Sequence, residues 1–280
     1  MEAARYEINV KKIVIIGGGN IGKALALGIV GSKIVLRRNL VVCDHGSRNR
    51  ARLVARGISV ATEARDAAVQ ADVVIVAVKP KDMRTVLKRI GDVLHERTVL
   101  ISVAAGVAVR DLERFFPRKR SVIRVMPNIC ASIGESMSVW VKNRHASAAH
   151  VRLVKRILSS IGAELQVHSD NDIDRATAIS GSGPAYLFYL AELLIFEAKR
   201  LGFSKVDSNM MVRQTLFGSG AMIKDLKREP TDLRTSVTSP GGTTATALRE
   251  FKRANLKKMI HTAIKAAAKR AGELAAINRK

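Results

Sequence analysis

The sequence predicts two domains: an α/β domain built on a doubly wound parallel sheet, and an all-α domain that follows it. Two observations carry this prediction. The first part of the chain alternates short β-branched runs with helical patterns, and no convincing strand follows from Asp170 onward. The 280 residues are enough for two domains with a sizeable core. We therefore expect domains at residues 1–165 and 166–280.

Strands are expected in the first domain at residues 12–16, 39–44, 58–61, 72–78, 98–103 and 121–125. Helical patterns lie between them at residues 20–30, 47–56, 64–69, 82–93 and 109–115. The first strand is a continuous apolar run of the type buried on both faces, and Gly17 ends it. The first helix places Ile21, Leu25 and Ile29 on one face. This spacing indicates parallel βαβ units, which residues 134–142 and a helix at 147–160 are expected to close.

The second domain is expected to contain long helices at residues 184–201, 204–224 and 255–276. The first of these is apolar on most sides, from Tyr186 to Ala198. Such helices have more apolar faces than one small bundle can bury. We therefore expect a homodimer or a higher homo-oligomer that assembles through this domain.

The formal net charge is +24, from 48 lysines and arginines against 24 aspartates and glutamates. Such an excess is common in proteins that bind nucleic acids. Here the basic residues are spread along the whole chain, and no aromatic–basic pattern accompanies them. A solvated basic surface is the favoured interpretation. We expect weak attraction to polyanions but no specific nucleic-acid partner.

The other bulk features are typical of a cytoplasmic protein. Cys43 and Cys130 cannot form a disulfide framework and belong to no Cys/His cluster, so no metal site is expected. The amino terminus carries charges at Glu2, Arg5 and Glu7 and lacks the apolar run of a secretory signal. No apolar run approaches the roughly 20 residues of a membrane helix, so no membrane partner is expected.

A glycine-rich turn is the clearest functional motif. Gly17, Gly19 and Gly22 form a Gly-x-Gly-x-x-Gly pattern directly after the first strand and at the start of the first helix. In a dinucleotide-binding Rossmann domain these glycines make the tight turn, admit the pyrophosphate and allow close helix–strand packing. The phosphates then lie over free N–H groups at the helix N-terminus. The motif therefore predicts a dinucleotide cofactor.

The end of the second strand bears on the choice between NADH and NADPH. Asp44 lies about where a carboxylate accepts the ribose hydroxyls of NADH. Ser47, Arg48 and Arg50 follow and offer donors for the 2′-phosphate of NADPH. Alternatively, Asp44 and Ser47 shape the turn and cap the next helix. We favour NADPH and keep NADH as the alternative.

Two further loops combine glycine with hydroxyl side chains. Residues 179–186 read Ile-Ser-Gly-Ser-Gly-Pro-Ala-Tyr and precede a long apolar helix. Residues 238–244 read Thr-Ser-Pro-Gly-Gly-Thr-Thr and run into a helical segment at 245–250. The second loop presents N–H and hydroxyl groups at a helix N-terminus, which suits a small carboxylate or phosphate. Taken alone, it fits a capped turn equally well.

Together, these motifs make the chain resemble the pyrroline-5-carboxylate reductase family along essentially its whole length. The matching segments are residues 16–22, 77–80, 102–106, 124–128, 180–186 and 239–244. The first three occur in variant form in other dinucleotide reductases, whereas the last two, with Met-Pro-Asn at 126–128, are more specific. The resemblance implies that NADPH or NADH reduces L-1-pyrroline-5-carboxylate to L-proline, the final step of proline biosynthesis.

The resemblance also implies a division of labour among residues. Those expected to bind the cofactor are Gly17, Gly19, Asn20, Ile21, Gly22, Ser47, Arg48, Ala77, Val78, Lys79, Pro80, Ala104, Ala105, Gly106 and Asn128. Those expected to bind the substrate are Ser239, Gly241, Gly242, Thr243 and Thr244. Ser239 and the N–H groups of Thr243 and Thr244 would hold the carboxylate. The Thr244 hydroxyl would reach the ring nitrogen, which makes Thr244 the expected catalytic residue.

The chain departs from the family at two places near the expected nicotinamide end. Ile129 and Cys130 stand where the family usually has Thr-Pro, and Ser136 stands where glycine is common. We expect the shape of the nicotinamide pocket to differ there, but not the reaction.

Two rival functions stay open on sequence alone. One is a reductase of the same architecture that acts on a β-hydroxy acid or a deazaflavin. Against the hydroxy acid, Lys199 and Lys205 lie outside any glycine-rich motif that would make either a catalytic lysine. The other rival is a cofactor-binding module without catalysis, associated with nucleic acid.

Overall fold

The structure is a computed structural model that describes residues 10–116, 118–225 and 228–277. The chain divides into two compact units. The first comprises the residues up to Ser182 together with those from Ala267 onward, and the second spans Gly183–Ala266. The predicted boundary between residues 165 and 166 stays a prediction. The expectation for the amino terminus rests on residues 1–9, which lie outside the described residues.

The first unit contains one sheet of eight strands in the order β3-β2-β1-β4-β5-β6-β7-β8. Its strands are β1 Ile13–Ile16, β2 Leu40–Cys43, β3 Ser59–Ala61, β4 Val73–Val76, β5 Val99–Ser102, β6 Val122–Met126, β7 Ser136–Lys142 and β8 Gly162–Gln166. The order changes direction between β1 and β4, which makes a topological switch point there. The predicted doubly wound α/β domain is confirmed.

The sheet is parallel from β3 through β6, as predicted, but its last two strands run in the opposite direction. β6 pairs antiparallel with β7, and β7 pairs parallel with β8. Only residues 127–135 separate β6 from β7, and they include one turn of 3-10 helix, Ile129–Ile133. A parallel connection needs a crossover of about a dozen residues or more, so this short link returns the chain antiparallel. The link length was readable in the sequence.

Helices cover both faces of the sheet. They are α1 Asn20–Gly31, α2 Ser47–Val54, α3 Ala64–Ala68, α4 Pro80–Ile90, α5 Val109–Glu113, α6 Ala148–Ser159 and α7 Asp170–Ala176. Ile13 and Ile15 of β1 belong to the core cluster that contains residues of α1 and α6. Val14 belongs to the other cluster, with residues of α4 and α5. Burial on both faces explains why β1 is apolar throughout.

Two elements of this unit were not predicted. β8 has the sequence Gly-Ala-Glu-Leu-Gln, whose residues have little intrinsic preference for strands. It is held by its ladder to β7 and by a hydrogen bond of 2.6 Å from Trp140 Nε1 to Glu164 Oε2. α7 begins with a capping box, in which Ser169 and Asp172 bind each other's backbone N–H groups. That Ser-x-x-Asp pattern was a local signal for a helix start.

The second unit is helical, which confirms the predicted all-α half. A π-helical turn, Thr177–Gly181, follows α7 along the chain. The helices after it are α8 Gly183–Arg200, α9 Lys205–Asp225, α10 Pro230–Ser236, α11 Thr243–Arg253 and α12 Leu256–Ile277. Several large apolar side chains of these helices are exposed in the single chain, including Phe188 at 61% and Phe217 at 73%.

One helical stretch corrects the expectation that no segment is apolar enough for a membrane span. Asp170–Arg200 is 31 residues long, and an 18-residue window in it has a mean hydropathy of 1.3. Only 6% of that window is buried within the chain. The sequence interpretation missed this because it required an unbroken apolar run, whereas the window mixes apolar and small polar residues. Length and composition are weak evidence for a span, because core and interface helices meet the same criterion.

Candidate active site

The expected cofactor residues of the first unit meet at the carboxyl edge of the sheet. Ile16, the last residue of β1, pairs with Cys43 of β2 and Val76 of β4. Val76 in turn pairs with Ser102 of β5. The residues after these strand ends, around Gly17, Asp44, Ala77 and Ala104, therefore emerge at one edge. Such an edge, at a switch point, is where open α/β sheets bind ligands.

The three motif glycines play different roles. Gly17 has a φ of +107°, and a Cβ there would overlap the carbonyl oxygen of Ala77. A Cβ on Gly22 would overlap the carbonyl oxygen of Gly17. At Gly19, a Cβ would meet no heavy atom within 4 Å. The fold therefore requires glycine at positions 17 and 22. At position 19 there is open space next to the backbone, as a bound phosphate group needs.

The positive end of the α1 dipole, at its N-terminus, is not neutralised by a side chain of the cap or of the first turn. Gly19 is the N-cap and provides no side-chain cap, and the first turn contains no acidic residue. The N–H groups of Asn20, Ile21 and Gly22 fall among the first donors of a helix, which have no acceptor within it. These groups and the helix dipole favour a negative charge beyond Gly19.

Asp44 joins the glycine-rich turn to the loop after β2. Its Oδ2 accepts from the backbone N–H of Gly18 at 2.6 Å and from Asn49 Nδ2 at 3.1 Å. Its Oδ1 accepts from the backbone N–H of Gly46 at 2.7 Å. These bonds support the interpretation that Asp44 shapes the turn, and they use three of the roughly four acceptor positions of its carboxylate.

The loop that was expected to contact a 2′-phosphate contains two arginines with different environments. Arg50 Nη1 donates to the carbonyl oxygens of Asp44 at 2.9 Å and His45 at 2.7 Å, so it holds the loop. Arg48 is exposed, and no described residue pairs with its guanidinium. Ser47 is the first residue of α2 and not its cap, because the N-cap is Gly46. Arg48 and Ser47 are therefore available to a ligand at this helix N-terminus.

A cavity of about 360 Å³ lies at this edge, lined by residues that include Gly17, Asp44, Val78 and Arg89. Lys79 is exposed and serves as the N-cap of α4, with Pro80 at the first helical position. Cys43 also lines the cavity, and burial raises the pKa of its thiol to about 11. The thiol is therefore protonated at neutral pH and is not a nucleophile there.

The segments after β5 and β6 were expected near the nicotinamide. Ala104 is buried, and Gly106 has a φ of +70°. The side chain of Ala104 is a single methyl group and Gly106 has none, so no large side chain projects from these two positions of the turn. This agrees with the expected close contact to a flat ring. The alanine between them is partly exposed.

Asn128 is held in place from three sides. Its Oδ1 accepts from the N–H of Cys130 at 3.0 Å, and its Nδ2 donates to the carbonyl oxygen of Ser180 at 2.9 Å. Its own N–H donates to the Ser136 hydroxyl at 3.1 Å. Cys130 and Ser136, which both depart from the family pattern, thus each make a hydrogen bond with Asn128. A proline at position 130 would have no N–H to donate, and a glycine at position 136 would have no hydroxyl to accept. One donor hydrogen of its amide is left for a ligand.

A buried ion-pair cluster beside this segment was missed by the sequence interpretation. Arg124 of β6 has a side chain 2% exposed, and it donates to Asp170 at 2.8 Å and Asp174 at 2.6 Å. Asp170 also accepts from the N–H of Val109 at 3.2 Å. The cluster fixes the start of α7 against β6. In the sequence, Arg124 is recognisable only as a charged residue within an apolar strand, and this does not indicate which residues it pairs with.

The hydroxyl-rich loop of the second unit forms a helix start, as expected. α11 begins at Thr243, two residues before the predicted helical segment, and its N-cap is Gly242 with no side-chain cap. The N–H groups of Thr243 and Thr244 are thus among the unpaired donors of the first turn. No described residue hydrogen-bonds the Thr244 hydroxyl, and Thr244 is half-buried. This geometry argues against Thr244 as a helix cap and leaves its hydroxyl available.

Within the described residues, no group of three or more His, Cys, Asp or Glu side chains is placed to hold a metal ion.

Comparison with known proteins finds relatives for both parts of the chain. Residues 170–274 match the family described as pyrroline-5-carboxylate reductase dimerisation. Residues 12–106 match the family described as NADP oxidoreductase, coenzyme F420-dependent. The pyrroline-5-carboxylate reductase of Corynebacterium melassecola is 36% identical over 266 residues, which are 94% of this chain and 98% of the relative.

Two solved structures are similar over nearly the whole chain. The pyrroline-5-carboxylate reductase of Coxiella burnetii has a TM-score of 0.89 and 30% identity, and the match covers 95% of this chain and 99% of that one. The pyrroline carboxylate reductase of Plasmodium falciparum with NADP bound has a TM-score of 0.84 and 29% identity, covering 96% and 99%.

Proposed function

The chain belongs to the pyrroline-5-carboxylate reductase family, and we propose how its residues carry out the reaction of that family. It is an NADPH-dependent oxidoreductase that reduces L-1-pyrroline-5-carboxylate to L-proline, the final step of proline biosynthesis. The observation that carries this conclusion is the 36% identity to a reductase of this name across 94% of the chain.

The residues of the first unit fit a dinucleotide. The open space at Gly19 and the uncapped start of α1 suit a pyrophosphate. Arg48 and Ser47 suit the 2′-phosphate of NADPH, since Asp44 is already bound to the turn. Ala104, Gly106 and Asn128 are assigned to the nicotinamide end. When bound, NADPH supplies the hydride.

The residues of the second unit handle the substrate. Reduction adds a hydride to the imine carbon and moves the π electrons to the ring nitrogen, and one proton from solvent on that nitrogen completes the secondary amine of proline. The N–H groups of Thr243 and Thr244, with the Ser239 hydroxyl, hold the carboxylate at the start of α11. The glycines 241 and 242 let the loop backbone approach it. The Thr244 hydroxyl hydrogen-bonds the nitrogen, whose electron density rises during the transfer.

This chemistry needs positioning more than acid–base catalysis. The imine carbon is already electrophilic, and more so when its nitrogen is protonated or hydrogen-bonded. The chain has to hold that carbon within reach of the reduced ring and exclude water. Backbone N–H donors and hydroxyl groups suit this task, because they position the substrate without taking its protons.

The enzyme acts on a small-molecule substrate and forms a homo-oligomer. We infer that the assembly is a dimer or a higher oligomer, through the helices after about residue 165, and that the enzyme is cytoplasmic. The exposed apolar side chains of α8 and α9 support the assembly, because they are otherwise left in water.

The role of Thr244 is tested by replacing it with valine, which keeps the branching but lacks the hydroxyl. We expect kcat to fall by about tenfold to a thousandfold, as for a lost hydrogen bond of ~1.4–4 kcal/mol in the transition state, with a smaller change in KM. Thr244→Ser retains the hydroxyl and should retain most of kcat. Melting curves of the three proteins should coincide. A valine variant with the wild-type kcat would remove the catalytic role.

A further inference from the structure

A second and larger cavity lies at the opposite edge of the sheet from the cofactor residues. Its volume is about 630 Å³, and it is formed where β6 begins, where β7 ends and beside α5. Its lining includes none of the residues assigned to cofactor or substrate. Cavities of about 300–1,000 Å³ are typical of small-molecule sites. The reaction described above leaves this cavity without a role.

The lining is strongly basic. Its six cationic side chains are Arg110, Arg118, Lys119, Arg120, Lys142 and Arg144, against two carboxylates, Glu113 and Asp170. Both carboxylates are already bound, Asp170 to Arg124 at 2.8 Å and Glu113 to Asn143 Nδ2 at 2.8 Å. Asp170 is thus paired with a cation, whereas Glu113 keeps its negative charge, so the six cationic side chains of the lining exceed its two carboxylates by four.

Only two of the six cations have a carboxylate partner within the described part of the chain. Arg118 pairs with Glu96, and Arg110 lies 3.9 Å from Asp111. Lys119 and Arg144 are exposed, and no described carboxylate lies within 4.0 Å of their nitrogens. Lys142 donates to the carbonyl oxygen of Ala146 at 3.4 Å, and no described carboxylate pairs with it.

Arg120 is the most informative of these residues. It is 5% exposed and its guanidinium lies 4.3 Å above the Phe116 ring. Its Nη atoms donate to the carbonyl oxygens of His95 and Leu94 only at 3.4 Å, and its buried Nε has no partner among the described residues. Burial lowers the pKa of Arg120. A buried cation without a counter-ion is unfavourable, and an anion in the adjoining cavity would compensate it.

We propose that this cavity binds a small molecule with two or more phosphate groups. Several separated cations require a ligand with several negative charges, and arginine and lysine are the usual partners of phosphate. Phe116, Val122 and Val141 add an apolar wall. Inorganic triphosphate and a nucleoside triphosphate share the required chemistry, and the apolar wall adds a contact for a nucleoside.

The test is calorimetric titration of the full-length enzyme, saturated with NADP⁺ so that the cofactor site is occupied, with inorganic triphosphate and separately with ATP. We expect saturable binding in at least one arm. Tighter binding of ATP assigns the nucleoside triphosphate, and equal affinities assign the phosphate groups alone. Absence of saturable binding in both arms would overturn the proposal.

Charge reversal separates the cavity from the general positive charge of the protein. Lys119→Glu with Arg144→Glu should weaken binding by about tenfold or more. Arg156→Glu makes the same kind of change on an exposed residue of α6 outside the cavity, and should weaken binding less than about twofold. If each charge reversal inside the cavity weakened binding no more than the reversal at Arg156, that result would contradict a defined site.

Arg120→Met supplies a second readout that does not depend on activity. Because no carboxylate of the described residues pairs with Arg120, we expect the variant to keep its melting temperature without ligand. The rise in melting temperature that triphosphate causes in the wild type should be lost. An unchanged rise would show that Arg120 does not face the ligand.

Discussion

The turn after β1 assigns separate tasks to glycines that look alike in the sequence. Gly17 and Gly22 are needed because a side chain at either position would overlap backbone atoms. Gly19 is flanked by open space and has φ and ψ of −66° and −166°, a conformation that other residues adopt. The three positions therefore predict different consequences of substitution.

Gly19→Val should abolish NADPH binding while the fold persists, because the branched side chain would fill the space assigned to the pyrophosphate. Titration of NADPH fluorescence measures the affinity, and a melting curve measures the fold. Gly22→Ala is the matched comparison and should lower the melting temperature, since its methyl group has no room. NADPH affinity at the wild-type level in Gly19→Val would contradict the assignment.

The two arginines of the loop after β2 also differ. Arg48→Ala should weaken NADPH by about 1.5–3 kcal/mol, the value of a hydrogen bond to a charged group, and leave NADH nearly unchanged. Arg50→Ala should weaken both cofactors similarly, because Arg50 holds the loop through the carbonyl oxygens of Asp44 and His45. Dissociation constants for both cofactors decide this, and equal losses in Arg48→Ala would count against its role.

The sequence patterns predicted which residues lie near the site better than they predicted the contacts of each residue. The glycine spacing and the hydroxyl loop were readable because local backbone geometry dictates them. The long-range bonds of Asn128 and Arg124 were not readable, since Ser180 lies 52 residues from Asn128 and Asp174 lies 50 residues from Arg124. Only the folded sheet brings those partners together.

Helix starts are the elements that prepare most of the site. α1, α2 and α11 each begin at a glycine N-cap without a side-chain cap, so their N–H groups are left for ligands. α6 and α7, which carry no assigned site residue, begin with capping boxes. α3, α5 and α10 also begin without a side-chain cap, so an open helix start favours an anion but does not by itself mark a site.

The capping box of α6 predicts a pH dependence. Ser147 donates its N–H to His150 Nδ1 at 3.3 Å, which requires a neutral imidazole, and burial lowers the pKa of His150. The folded state therefore binds fewer protons than the unfolded state as the pH falls through about 6.5. The stability that His150 contributes is complete above that pH and is lost as the pH falls through the lowered folded-state pKa.

His150→Gln should reduce this dependence, because the glutamine carbonyl accepts the same hydrogen bond at any pH. Between about pH 7.5 and about pH 5.5, the melting temperature of the wild type should fall further than that of the variant, at one protein concentration. Equal falls in the two proteins would show that His150 does not titrate in this range.

The elements themselves were predictable where periodicity and burial agree. β1, β4 and β5 are apolar runs buried on both faces, and the structure places them within a few residues of the predicted bounds. β8 was missed because tertiary pairing overrides its weak strand preference, and the direction of β7 was missed because the length of its link was not used. A local sequence pattern identifies a strand that is strongly buried, but it is a poor guide to a strand that is held mainly by pairing with neighbouring strands.

For the molecule as a whole, the exposed apolar side chains of the helical half predict self-association. Light scattering at micromolar protein should show at least a dimer. Phe188→Glu places a charge on the exposed face of α8 and should shift the protein toward monomer with loss of activity. Arg156→Glu, on α6, should leave the assembly intact. A wild-type monomer with full activity would refute the packing argument.

The function of the whole molecule is one reaction, the transfer of a hydride from NADPH to the imine carbon of pyrroline-5-carboxylate. The most direct measurement is mass spectrometry of the product formed with NADPH deuterated at both C4 positions. We predict proline that is one mass unit heavier than normal, with deuterium at C5 and one NADPH consumed per proline. Absence of proline, or proline without deuterium at C5, would contradict the central claim.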